Sequence, residues 1–91
     1  MSTALTIAFI IANSALTCSG PLPTVYTLTP EQMESAGNDY GVYTPKYLEI
    51  VIADNAGPWV LVHEVAHWCG ADETEARRIH RRWMQMHEVQ G

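Results

Sequence analysis

His63-Glu64-Val65-Ala66-His67 sets two imidazoles four residues apart around a carboxylate. On a helix that spacing is about one turn, so both rings lie on one face and their nitrogens can converge on a single ion. Glu64 is rotated by roughly 100° from His63 on the helical wheel, which puts its carboxylate beside such an ion rather than on it. The chemistry this suits is hydrolysis. Zinc lowers the pKa of a bound water to about 7, and Glu64 as general base takes the proton and passes it to a leaving amine. The expectation is one Zn2+ per chain, held by His63 and His67, acting on a peptide or protein substrate.

A catalytic zinc site needs a third protein ligand and an open fourth position. Downstream of the histidines the chain offers Asp72, Glu73, Glu75, His80 and His87. Glu73 is the preferred ligand, because Gly70 lets the chain turn sharply after the helix and Glu73 follows six residues past His67. Glu75 is the runner-up; its other role is to complete a capping box with Asp72.

His63 to Glu73 reads HEVAHWCGADE, which resembles the elongated metzincin motif HExxHxxGxxH/D, with Glu73 where that family carries histidine or aspartate. Residues 73–76, ETEA, resemble the ExxA segment of gluzincins, whose glutamate completes the site. Arg77 stands where many of those enzymes have an aspartate that orients a ligand histidine. The wider order is an N-terminal helix, a GPLPTV turn into a strand, a Gly-Val-Tyr segment, GPWVLVHEVAHW and a last helix. It is similar to small zincin-like proteins of bacteria and phages. The resemblance implies an α+β, zincin-like peptidase fold in which an edge strand, here residues 47–53, lines the cleft and can pair with an extended peptide. It also implies a Tyr or His at the developing oxyanion, for which Tyr40, Tyr43, Tyr47, His80 and His87 are candidates.

The elements that must position this site can be traced along the chain. Residues 4–12, ALTIAFIIA, are apolar with almost no polar interruption. They are far shorter than the roughly 20 residues of a membrane span. No Lys or Arg precedes them, and Asn13-Ser14-Ala15 is a poor cleavage pattern. A helix capped by Ser2 or Thr3 and running to about Ala15 is therefore expected over a signal peptide, burying Leu5, Ile7, Ile10, Ile11 and Leu16. Pro21 and Pro23 exclude a helix there, and Thr24–Leu28 is β-branched and aromatic enough for a strand. Thr29-Pro30-Glu31-Gln32 opens a short helix to about Ser35, which Ala36-Gly37-Asn38-Asp39 ends. Val42–Pro45 is a short strand and Tyr47–Ala53 a longer one, at or near a sheet edge because Glu49 interrupts its apolar pattern. Pro58 starts the motif helix to about Cys69. Asp72 starts the last helix to about Val89, with an apolar stripe of Ala76, Ile79, Trp83 and Met86. Trp59, Trp68 and Trp83 are core aromatics.

Composition bounds the rest. Ninety-one residues, 47% hydrophobic and 16% charged, allow one domain, 1–91, with a thin stability margin that a metal or partner would widen. The net charge is −5, and all five bases are Lys46, Arg77, Arg78, Arg81 and Arg82. Such an acidic chain gives few phosphate contacts, so no nucleic-acid partner is expected; the arginines form the solvated side of the last helix. Cys18 and Cys69 can be one bridge in an exported protein or two thiols in the cytoplasm, and spacing does not choose. A cytoplasmic location is expected, with secretion if residues 1–15 act as a signal; oligomeric state is left open. Two rivals to the zinc peptidase are a non-catalytic zinc-stabilised binding or regulatory module and a basic-helix interaction protein.

Overall fold

Ser2 opens the first helix, α1 (Thr3–Asn13), with its hydroxyl oxygen accepting from the Leu5 amide at 3.1 Å. A computed structural model describes residues 2–37 and 40–88. Asn38 and Asp39 of the expected turn, and Val89 at the expected end of the last helix, lie outside the described residues. α1 stops two residues earlier than the expected Ala15. The Asn13 amide and Ser14 hydroxyl donate back to the carbonyls of Phe9 and Ile10 at 2.9 and 2.7 Å, closing the last turn.

α1 buries less of its apolar surface than expected. Ile10 is fully buried, but Leu5 and Ile11 are 65% and 52% exposed, and Ile7 and Leu16 are only partly covered. A helix apolar nearly all round has more apolar residues than the face it presents to the other helices can cover. Thr6 takes the second fully buried position because its hydroxyl donates to the Ser2 carbonyl at 3.0 Å. No helix among the described residues is long and apolar enough to cross a membrane.

The chain then forms β1 (Thr24–Leu28), α2 (Pro30–Ser35) and β2 (Gly41–Thr44), a single 3-10 turn (Pro45–Tyr47), and β3 (Glu49–Ala53). α2 has the full capping box of Thr29 and Gln32 and seats Met33 in the interior. The three strands lie in the order β1-β3-β2, with β1 parallel and β2 antiparallel to β3. The expected edge strand is therefore the central one. Tyr47 and Leu48 belong to the turn, where Leu48 is left-handed at φ 52°, so the strand starts at Glu49. Glu49 pairs with Thr24 and Thr44 at the rim of the sheet, where a carboxylate can reach water even from a central strand. Ile50 and Ile52 point to the buried face.

The last two helices are α3 (Pro58–Trp68) and α4 (Glu73–Glu88). α3 buries Val60, Val62, Val65 and Ala66 between the sheet, α1 and α4. Asp72 caps α4, accepting from the Glu75 amide at 2.8 Å, and Ala76, Ile79 and Trp83 form the buried stripe. Met86 leaves that stripe and is 44% exposed, because the 16-residue α4 overhangs the 11-residue α3; the His87 ring stacks on Trp83 instead. Trp83 is buried as expected, whereas Trp59 and Trp68 only partly pack against the core. Cys18 and Cys69 form a disulfide that ties the segment after α1 to the C-terminal cap of α3. The architecture is a small α+β fold.

Candidate metal centre

Gly70 decides the geometry of the site. Its φ of 100° reverses the chain just past α3. The Gly70 amide donates to the His67 carbonyl at 2.9 Å and the Ala71 amide to the Ala66 carbonyl at 3.0 Å, the paired bonds of a helix closed by a left-handed glycine. The reversal brings the Ala71 carbonyl to 2.9 Å from Nδ1 of His67 and starts α4 with Glu73 facing both histidines.

A carbonyl only accepts, so His67 Nδ1 carries the proton and, in the neutral ring, Nε2 presents a lone pair. That Nε2 lies 3.3 Å from Glu73 Oε1. Two acceptors face each other there, and only a proton or a cation between them makes the contact favourable. The same Glu73 oxygen is 2.5 Å from His63 Nε2, and His63 Nδ1 is 2.7 Å from His80 Nδ1, so one ring of that pair donates to the other. One atom each from His63, His67 and Glu73 lie within 4.8 Å of one another, and this group could hold a metal ion. Two imidazole nitrogens and one carboxylate oxygen are a donor set that zinc accepts, and the partners at each Nδ1 fix the rings.

The other sequence candidates fall elsewhere. Glu75 turns to Arg78, with oxygens 2.6 and 3.1 Å from the guanidinium nitrogens, and so supplies no side-chain half of a capping box. Asp72 is committed to the cap of α4. His87 stacks on Trp83, and Tyr47 lies under the Lys46 ammonium. His80 stands behind His63 rather than beside Glu73 as a third ligand.

Glu64 is 8% exposed and sits between α3 and β2. Burial pushes its carboxyl above the usual range, with Glu73 adding repulsion, while His67 and the Tyr43 backbone amide pull the other way without cancelling it. β2 comes this close because residue 41 is glycine. A β-carbon there would stand 2.6 Å from a Val60 methyl and 3.3 Å from Cγ of Glu64. Burial holds His63 below the ordinary histidine value despite the opposing pull of Glu73. His80 is lowered by burial and then by the charges of His63, Arg81 and Arg77. Burial is the largest single influence on Glu73 and pushes it up, but His63 and then His67 together outweigh it and hold the group below the usual carboxylate range. A His63 ring held toward its neutral form, facing a carboxylate, is the combination a divalent ion needs.

Two concavities flank the centre, and Gly41, His63, Glu64 and Glu73 line both. One, of about 340 Å³, adds Tyr40, Trp59, Arg77 and His80. The other, of about 430 Å³, adds Tyr43, Pro45 and His67 along β2. Sequence reasoning placed His80 only in lists of candidates and gave Gly41 and the Ala71 carbonyl no role. A signal for His80 existed: Glu73, Arg77 and His80 fall at i, i+4 and i+7, one face of a helix. In comparisons with known proteins, the chain matches no family model, no curated protein and no solved structure.

Proposed function

We propose that the protein is a zinc-dependent metallopeptidase of zincin-like fold, with His63, His67 and Glu73 as ligands and Glu64 as general base. The observation that carries this reading is the opposition of His67 Nε2 and Glu73 Oε1 at 3.3 Å, beside a carboxylate that burial has made more basic. A zinc ion there would polarise a peptide carbonyl and acidify a water near neutral pH. The chain does the rest. Glu64 accepts a proton from the attacking water as its oxygen bonds to the carbonyl carbon; the C–N bond then breaks and the same carboxyl returns the proton to the departing nitrogen. The Ala71 carbonyl and His80 hold the two imidazoles through Nδ1. β2, the outer strand beside Glu64, is where an extended substrate would add by strand pairing, in place of the strand the sequence suggested. Tyr40 and His80, in the cavity of about 340 Å³, and Tyr43, in the one of about 430 Å³, line the site with Glu64 and are the better placed candidates for the developing oxyanion.

The test compares metal content and peptide turnover of wild type, Glu64→Gln and His63→Ala. About one zinc per chain is expected in wild type and Glu64→Gln and none in His63→Ala, with turnover lost in both variants, by roughly a hundredfold or more for Glu64→Gln. Turnover that survives Glu64→Gln removes the mechanism. Zinc retained without turnover in wild type leaves the metal-stabilised module. The Cys18–Cys69 disulfide favours an oxidising compartment over the cytoplasm for this activity.

A further inference from the structure

Four of the five bases lie on α4, and they are not equivalent. Arg78 is spent on structure, gripping Glu75 and donating to the Asn13 carbonyl at 3.2 Å. Arg81 and Arg82 face a separate concavity with Thr74 and Gln85. Arg77 alone among the described arginines lines the cavity of the histidines and Glu64.

Arg77 also lacks the partner its position offers. A glutamate four residues before an arginine on a helix is a favourable pairing, and Glu73 occupies that place. The Glu73 carboxylate is drawn instead onto His63 and His67, so the pair does not form. Arg77 is exposed, and its side chain, whose guanidinium carries five donors, lines a cavity whose other walls include Tyr40 and Trp59. The cavity is about 340 Å³, the lower end of the roughly 300–1,000 Å³ of small-ligand sites. Both acids that line it have other work: Glu73 on the histidines, Glu64 at the Tyr43 amide.

We infer that Arg77 is a carboxylate-binding residue of this cavity and that the protein selects peptides carrying a carboxylate close to the reacting bond. The fork of a guanidinium binds a planar carboxylate through two parallel hydrogen bonds, while Tyr40 and Trp59 offer apolar surface to the neighbouring part of the chain. The carboxylate comes either from the α-carboxyl at a peptide C-terminus or from an Asp or Glu side chain. The peptide class rests on the peptidase reading; the carboxylate site stands on Arg77 and its cavity.

The test measures binding calorimetrically on the full chain, zinc-loaded and after chelation, for wild type, Arg77→Gln and Arg77→Lys. The probes are N-acetyl-trialanine as free acid, the same peptide as its C-terminal amide, and N-acetyl-Ala-Asp-Ala-amide. The chelated form keeps a carboxylate from simply ligating zinc. In wild type at least one carboxylate peptide should bind about tenfold to a hundredfold tighter than the uncharged amide, on the order of what a hydrogen bond to a charged group contributes. The preference should vanish in Arg77→Gln and survive in part in Arg77→Lys, which keeps the charge but not the fork. Preference for the free acid assigns a C-terminal carboxylate; preference for the aspartyl peptide assigns a side chain. Equal affinity for acid and amide in wild type, including no measurable binding of either at millimolar peptide, overturns the inference, as does a preference unchanged in Arg77→Gln. A chain that cuts no peptide yet prefers the carboxylate through Arg77 loses the peptidase reading and keeps this site. One that cuts peptides regardless of Arg77 does the reverse.

Discussion

The four polar side chains at the centre are each fixed by a different neighbour, and those neighbours govern how the site responds to pH. His63 and His80 share one contact through Nδ1, and burial lowers both below the ordinary histidine value of about 6.5. A proton therefore binds the unfolded chain more readily than the folded one, and stability must fall as pH drops below about 6.5. Glu64 has the opposite slope. Its raised pKa means the folded state holds the proton longer, so that contribution is present at low pH and is lost as pH rises through the raised value. Glu64→Gln removes this opposing contribution and leaves that of the histidines. In chelated Glu64→Gln the melting temperature should climb steadily between about pH 5.5 and 7.5, and adding His80→Gln should flatten the climb. A profile that falls over that range, or is indifferent to residue 80, would show the imidazole pair accepting protons freely. At this scale the sequence was informative for a physical reason: HExxH spacing dictates a common face, and Gly70 dictates a turn, so Glu73 follows. The His63–His80 contact depends on how α3 and α4 cross, which no spacing within one helix encodes.

Among the elements, the join between β2 and α3 sets the surroundings of Glu64, the proposed base. Gly41 lets the strand lie against Val60 and Glu64, and the atom a methyl group would strike is a stiff, buried valine methyl that has no free direction to move. Gly41→Ala should therefore push strand and helix apart. Overpacking of this kind costs about 1–3 kcal/mol, to be read from urea unfolding. Turnover should drop further than stability implies, because the Tyr43 amide and Glu64 separate. Unchanged urea midpoint and unchanged turnover would mean the strand yields without disturbing the carboxylate. Elements with local punctuation were legible: Thr29-Pro30 for α2, Pro58 and Gly70 for α3, Asp72 for α4. The place of β3 was not. Alternation in Glu49–Ala53 reports which face is buried, but not how many strands flank it, since hydrogen bonds along both edges leave no mark on side-chain type. For the same reason the surface chosen for α1 eluded the sequence, as a helix apolar on every side names no preferred face.

For the molecule as a whole, the disulfide and the candidate metal centre reinforce one stretch of chain. Cys69 caps α3, Gly70 turns, and Glu73 begins α4, so the bridge to Cys18 and the histidine–glutamate group grip segments a few residues apart. A 91-residue core has little stability in reserve, so each tether matters. Closing the 51-residue separation lowers the entropy of the unfolded chain by an amount worth about 4 kcal/mol in the chain-entropy account. Zinc at about one hundred times its dissociation constant adds about 2.7 kcal/mol by mass action. Tethers so close together should not act independently. With the bridge removed by Cys18→Ser and Cys69→Ser, the cap of α3 loosens, the turn at Gly70 becomes less well held, and zinc must order it on binding. The double variant should lose roughly 2–5 kcal/mol in chelator, and zinc should bind it more weakly than wild type. Denaturant unfolding of both proteins with and without zinc, combined as a double cycle, reads that coupling directly. Equal zinc affinity in the two proteins would mean that the turn is set by Gly70 and the packing of α3 on α4 alone, with the bridge acting only on the unfolded chain.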